Sequence, residues 1–213
     1  MTPERPVREV LEGGEEAIGA RCMTRAPMFV EIYGELGFDF AWMDVEHGGQ
    51  SPWGATTFEG LVRAAAGADV DLLVRLPSGD LHLIRKVLDT GVRTFLIPRV
   101  ETAAEVRRAV EASRFRYDGG AGERGAASGL ASDWGSADGY VEREDATPLV
   151  GVMIESVREA CLDAGVPVGR IANDVEEATE AIASGYRLLR VGSEVTSTRS
   201  VLGERLADIV DGA

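Results

Sequence analysis

Short apolar runs alternate with stretches of helical period along the whole chain, and this alternation limits the fold more than any other feature. β-Branched or apolar runs occur at residues 18–23, 38–43, 71–76, 94–98, 149–154, 168–172 and 188–191. Between them, Phe29, Ile32, Tyr33 and Leu36 make one apolar stripe. Phe58, Leu61, Val62 and Ala65 make a second, and Leu81, Ile84, Val87 and Leu88 a third. Gly37, Gly67, Gly91 and Gly185 stand where helices would stop. Strands that alternate with helices pair in parallel. Seven such strands within residues 1–213, read as one domain, point to an α/β fold of the TIM-type β/α barrel kind rather than an open sheet.

Barrels of this kind carry their chemistry at the C-terminal ends of the strands. The segment "FAWMDVEHGGQ" leaves an apolar run through Asp44, Glu46 and His47 into glycines. Arg75 ends the next run in "LLVRLPSGD", and Arg99 and Glu101 follow the next in "LIPRVET". Glu155 closes "VGVMIES". A single such residue reads as a solvated loop position. The same habit on consecutive strands reads as a site on one rim.

Charge narrows the partners. The chain has 36 acidic and 22 basic residues, a net charge of −14. That disfavours nucleic acid and anionic membrane, which reward Lys and Arg. Lys86 is the only lysine. An acidic, lysine-poor surface suits high salt and suggests a halophilic source, the plainer reading being the Arg codons of a GC-rich genome. No run approaches the roughly 18 apolar residues of a membrane span, so the expectation is a soluble, cytoplasmic protein. Cys22 and Cys161 form neither a metal spacing nor a disulfide framework.

The lysine count also bears on chemistry. A Schiff-base enzyme needs a reactive lysine, whereas Lys86 sits beside Arg85 in an amphipathic stretch and reads as a helix-surface residue. His82 falls in the first turn of the same helix, with no catalytic part. "GAGERG", residues 120–125, matches G-x-G-x-x-G, but a dinucleotide site needs a strand before it and a helix after it. Here the surroundings read as a long glycine-rich loop, so that site is rejected. Arg124 in this loop is a candidate for facing a substrate or a neighbouring subunit.

Several separated segments resemble one family. "GFDFAWMDVEHG", "LLVRLPSGDLHLIRKVLDTGVRTFLIPRVET", "RFRYDGGAGERG" and "VGVMIES" are similar to the HpcH/HpaI aldolase and citrate lyase family. The likeness runs from about residue 13 to 155 and resumes in "REACLDAGVPVGRIANDVEEATEAIASGYRLLRVGSEV". The resemblance implies a TIM barrel of the phosphoenolpyruvate/pyruvate type. It implies a carbon–carbon lyase that divides a 2-keto-3-deoxy or 4-hydroxy-2-oxo acid into pyruvate and an aldehyde. It also implies a divalent metal: Mg²⁺ or Mn²⁺, with Co²⁺ as a further option. By the same resemblance His47 is the acid–base group on the aldol hydroxyl and Asp44 its orienting partner. Arg75 holds the pyruvate oxygen, Glu155 is a metal carboxylate, and Met153 lines the substrate where many members carry Gln. Glu46 has a less defined place. The family forms dimers grouped into hexamers, with C-terminal helices packing across subunits. The tail here puts Val201, Leu202, Leu206, Ile209 and Val210 on one stripe, so a homo-oligomer is expected.

General chemistry supports these roles independently. An enolate needs its charge met by a guanidinium or a cation, and histidine moves protons near neutrality.

The chain departs from the family after Ser156. It passes straight into "VREACLDAG", which resembles a much later helix. The segment with the family's second metal carboxylate is missing, and seven strands stand where a barrel has eight. The expectation is therefore a barrel lacking one βα unit, with Asp44 or Asp174 as substitutes for the lost ligand. The competing reading is a catalytically impaired member that serves as a structural or assembly subunit.

Overall fold

Each of the seven apolar runs forms a strand. The computed structural model describes residues 3–48, 51, 54–153 and 158–211. In chain order the elements begin with α1 (Val7–Glu12), β1 (Ala17–Arg21), α2 (Pro27–Glu35), β2 (Phe40–Asp44), α3 (Ala55–Gly67) and β3 (Asp71–Arg75). Then come α4 (Leu81–Asp89), β4 (Thr94–Ile97) and α5 (Ala103–Ala112). A two-strand hairpin, β5 (Arg116–Tyr117) and β6 (Gly120–Ala121), leads to a short 3-10 helix (Leu130–Gly135) and α6 (Tyr140–Ala146). The chain ends through β7 (Leu149–Val152), α7 (Arg158–Asp163), β8 (Gly169–Ala172), α8 (Val175–Ala183), β9 (Leu188–Ser193) and α9 (Glu194–Asp211).

Seven strands form one sheet in the order β7-β4-β3-β2-β1-β9-β8, and every pairing in it is parallel. β7 and β8 are its two ends. They are consecutive in the sheet's chain order, so the absent βα unit belongs between them. Among the described residues no strand joins them. This is the incomplete β/α barrel that the sequence implies.

The sheet has an outer and an inner face. Outward side chains such as Met43, Val74 and Phe95 pack under the helical stripes, with Phe58, Leu61, Val62, Ile84, Val87 and Leu88 all buried. The inner face carries Phe40, Trp42, Leu73 and Leu96, with Leu149 and Leu188 at the sides and Val7 and Val10 of α1 closing the bottom. Burying each of these large side chains is worth roughly 1.5–3 kcal/mol. Two inner glycines make that packing possible. A Cβ on Gly19 would meet the Phe40 ring, and one on Gly151 would meet a Leu96 methyl.

Polar groups at the bottom hold α1 in place. Asp71, buried at the start of β3, accepts from the Val7 N–H (3.1 Å), the Thr94 hydroxyl (2.8 Å) and the Leu72 N–H (2.8 Å). Burial pushes its carboxyl above the ordinary range despite these bonds. Helices α4 and α5 start on side-chain caps. Asp80 accepts from the Leu83 N–H, and Thr102 forms a capping box with Glu105 before α5.

Two expectations change. Leu36 does not join the α2 stripe: it sits at the C-cap and is exposed, while Val30 and Tyr33 are the buried residues. The glycine-rich region is not one loop. It folds as the β5–β6 hairpin, the 3-10 helix and α6, at the end of the sheet where strands begin.

Candidate active site

The β2–β3 register places Asp44 directly beside Arg75 at the strands' C-terminal ends. Asp44 stops β2 by turning the chain back on itself. Its Oδ1 accepts from the backbone N–H groups of Glu46 and His47, each at 3.1 Å, the local bonding that makes Asp a turn residue. The same carboxylate takes Arg75 side-on, through Nε at 3.0 Å on Oδ1 and through Nη2 on Oδ2. Arg21, at the end of β1, adds a bond to Oδ2 at 2.7 Å. Burial alone would push the Asp44 carboxyl up. The Arg75 and His47 hydrogen bonds and the charges of Arg75 and Arg21 outweigh it and hold the group below the usual carboxylate range.

Glu46 continues the network. Its side chain is 8% exposed, 3.0 Å from Arg75 Nη1 and 3.4 Å from Arg99 Nη2. His47 Nε2 lies 3.6 Å from Glu46 Oε2, and the imidazole is 68% exposed. Asp44 therefore holds the backbone that carries His47, while Glu46 is the carboxylate that faces its ring. Arg25 donates to the Asp44 carbonyl at 3.0 Å across Gly48, where any Cβ would collide with the guanidinium. Arg25 and Arg99 both have left-handed backbone, φ 53° and 55°. Such strain in non-glycine residues gathers at functional sites.

A family model described as HpcH/HpaI aldolase/citrate lyase matches residues 22–158, which span all of these groups except Arg21. The chain belongs to the HpcH/HpaI aldolase/citrate lyase family. It is 34% identical over 149 residues to a hydroxypyruvate/pyruvate aldolase of Deinococcus radiodurans, covering 70% of this chain and 52% of that one. It is 33% identical over 156 residues to a 4-hydroxy-2-oxovalerate aldolase of Novosphingobium aromaticivorans, covering 73% and 58%. The chain thus spans between half and three-fifths of these curated relatives. Its fold matches the crystal structure of an HpcH/HpaI family protein from Burkholderia cenocepacia J2315, with a TM-score of 0.85 at 23% identity over 95% of this chain and 98% of that one.

Other expected site residues of this HpcH/HpaI chain fall in different places. Met153 follows β7 on the same rim, half-buried, its N–H donating to the Ile97 carbonyl at 2.9 Å. Glu155 lies outside the described residues. Asp174 is the N-cap of α8, accepting from the Glu177 N–H at 2.8 Å, and is exposed. His82 is exposed in the first turn of α4, as its position implied.

Arg124 does not lie on the rim with Asp44 and Arg75. Its side chain is fully buried at the other end of the sheet, 3.2 Å from Glu144 and 3.6 Å from Asp89, with Phe115 under the guanidinium at 4.8 Å. Glu144 in turn accepts from Arg93 at 2.6 Å. An arginine in a glycine-rich stretch reads as a loop residue, but two acids distant in sequence draw it inside.

The described residues do not by themselves fit a divalent metal. They bring no group of three His, Cys, Asp or Glu together, and both Asp44 oxygens are taken by guanidinium groups. The rim also holds arginines that the sequence reading passed over. Arg21 had the same signal as Arg75, a basic residue late in an apolar run, whereas Arg190 lies inside the β9 run and Arg25 follows β1 by a short loop.

Proposed function

We propose that this chain is an aldolase that cleaves a 4-hydroxy-2-oxo or 2-keto-3-deoxy acid into pyruvate and an aldehyde. The observation that carries the reading is the fixed Asp44–Arg75–Glu46 network on the strand ends, with His47 on the turn it organises. A guanidinium has five N–H donors. Arg75 spends its Nε donor and one on Nη2 upon Asp44, and one on Nη1 upon Glu46. One donor on each terminal nitrogen remains for an oxyanion.

The reaction then runs on this chain's own groups. His47, exposed beside the mouth, takes the proton from the aldol hydroxyl. The C3–C4 bond breaks, the electron pair moves into the keto acid fragment, and the aldehyde leaves. The enolate oxygen faces the remaining Arg75 donors, where a preorganised cation is worth several kcal/mol. Protonation at C3 by the imidazolium gives pyruvate and restores His47. Members of this family are generally dependent on a divalent metal, which when bound supplies further charge for the enolate. Glu155, assigned to hold it by resemblance, lies outside the described residues.

The relatives named hydroxypyruvate/pyruvate, 4-hydroxy-2-oxovalerate and 2-keto-3-deoxy-L-rhamnonate aldolase support this substrate class. One observation favours the second reading, an impaired subunit: neither oxygen of Asp44 is free, and the described residues gather no metal-binding set. Pyruvate release from a panel of keto-acid aldols, with and without Mn²⁺ or Mg²⁺ and at low and high salt, separates the two. Turnover that His47→Ala abolishes supports the aldolase. No turnover under any of these conditions favours the subunit reading.

A further inference from the structure

Arg190 has no match among the groups that explain the site. It lies on β9 two residues after Leu188, which packs in the inner cluster, so both point into the barrel. Its register partner on β1 is Gly19, which offers no side chain. Just above it the β1–β9 ladder slips, pairing Arg21 with Ser193, and Gly192 takes left-handed backbone (φ 58°). A bulge of this kind re-aims side chains beside a site. Arg190 is half-buried, in the register layer of Gly19 and Phe40, and near enough to Arg21, Arg75 and Asp44 for their charges to act on it.

The charges nearby are already spent. Both oxygens of Asp44 are bound by Arg21 and Arg75, and those of Glu46 by Arg75 and Arg99. Glu194, at the start of α9, is turned to the outer layer, where it accepts from the Thr24 N–H and from Tyr33. Among the described residues no carboxylate is within ion-pair distance of Arg190. Burial, with the charges of Arg21 and Arg75, pulls its pKa down, and Asp44 opposes them only in part. A desolvated cation held beside two others costs stability. Its place inside the mouth is understandable when an anion completes it.

We propose that Arg190 is a substrate-binding residue that receives the carboxylate of the 2-oxo acid, deeper in the barrel than the oxo group held by Arg75. The proposal rests on the keto-acid reading of the site. It explains how a small carboxylate is gripped by the chain's own side chains. It also fixes orientation: carboxylate down on Arg190, oxo group up on Arg75, and the scissile bond toward His47 at the mouth.

Calorimetry with pyruvate and with its uncharged amide, pyruvamide, tests it on wild type, Arg190→Met and Arg190→Lys. Wild type should prefer pyruvate by roughly tenfold or more, the size of a charge-assisted bond. Arg190→Met should lose that preference, and Arg190→Lys should keep part of it. Without ligand, Arg190→Met should melt at a higher temperature than wild type, because an unpaired buried charge is gone; a merely structural arginine would give a lower one. Equal discrimination in wild type and Arg190→Met overturns the subsite while leaving the aldolase reading intact. Failure of wild type to bind pyruvate at millimolar concentration overturns both.

Discussion

Arg75 meets Asp44 side-on, Nε to Oδ1 at 3.0 Å and Nη2 to Oδ2, across the last register pair of β2 and β3. The pair ties two strand ends together while leaving the guanidinium plane open at its far edge. Lysine has one point of charge and cannot both hold this carboxylate side-on and reach Glu46. Arg75→Lys is expected to lower kcat by roughly 10²-fold or more, as for loss of an oxyanion donor, with a preserved circular-dichroism spectrum. Unfolding of the variant would instead make Arg75 a purely structural residue.

Asp44 has a depressed pKa, so the sign of its pH effect is determined. It contributes stability above its ordinary pKa of about 4, and that contribution is lost as pH falls further, through the lower value it has in the folded protein. Asp44→Asn cannot titrate there. The melting-temperature gap between wild type and Asp44→Asn should be widest near neutral pH and shrink as acid titrates the wild type. A gap that stays constant down to pH 3 would show that the Arg21 and Arg75 contacts add nothing net.

His47 is the exposed member of the network, and its ring faces Glu46 rather than Asp44. His47→Ala should lower kcat by roughly 10²-fold, the usual share of a positioned acid–base group, with little change in melting temperature. Glu46→Gln should lower kcat as well, because it removes the carboxylate that faces both the His47 ring and Arg75 Nη1. An unchanged kcat in Glu46→Gln would separate Glu46 from His47.

Glu144 is a partner shared by the two buried arginines Arg93 and Arg124. Removing one member of a buried ion network typically costs about 3–5 kcal/mol. Glu144→Gln should therefore lose a stability of that order in urea titrations. Arg124→Ala should destabilise while leaving KM unchanged in the molecules that remain folded. A raised KM with unchanged stability would return Arg124 to the substrate.

The outer stripe of α9 exposes Val201, Leu202, Leu206, Ile209 and Val210 together. So many large aliphatic groups on one helix face mark an interaction surface. Light scattering at micromolar concentration should show an oligomer, and Leu206→Glu with Ile209→Glu should shift it to a smaller species. A monomer in the wild type would refute this.

The seven strands were readable because each is a short, largely apolar run, and the rim was readable because barrel chemistry sits where those runs end. Asp44 and Arg75 were found for that reason, and register brought them together. Arg124 was misplaced because local composition hid its partners: Asp89 ends α4 and Glu144 lies in α6, and nothing near "GAGERG" announces either. Arg190 was overlooked for the opposite reason. A basic residue within "RLLRVG" looks like a surface position until β9 is placed next to β1 and its side chain is seen to point inward. Leu36 fitted the helical stripe by spacing, yet a helix that ends one residue earlier leaves it in water.

The Asp71 contact with Val7 also sets an order in time. The acceptor for the Val7 N–H lies 64 residues further along the chain, and the apolar layer that receives Val7 and Val10 includes residues of β2, β3 and β4. A six-residue helix is too short to persist alone in water. As the polypeptide leaves the ribosome, α1 has nowhere to dock until three further βα repeats have emerged. Until then the underside of the nascent barrel stays open, exposing Phe40 and Leu73 to chaperones and to other chains. α1 is therefore seated only after β3 and β4 are in place, and weakening Asp71 should reduce the yield of soluble protein as well as the stability of the folded molecule.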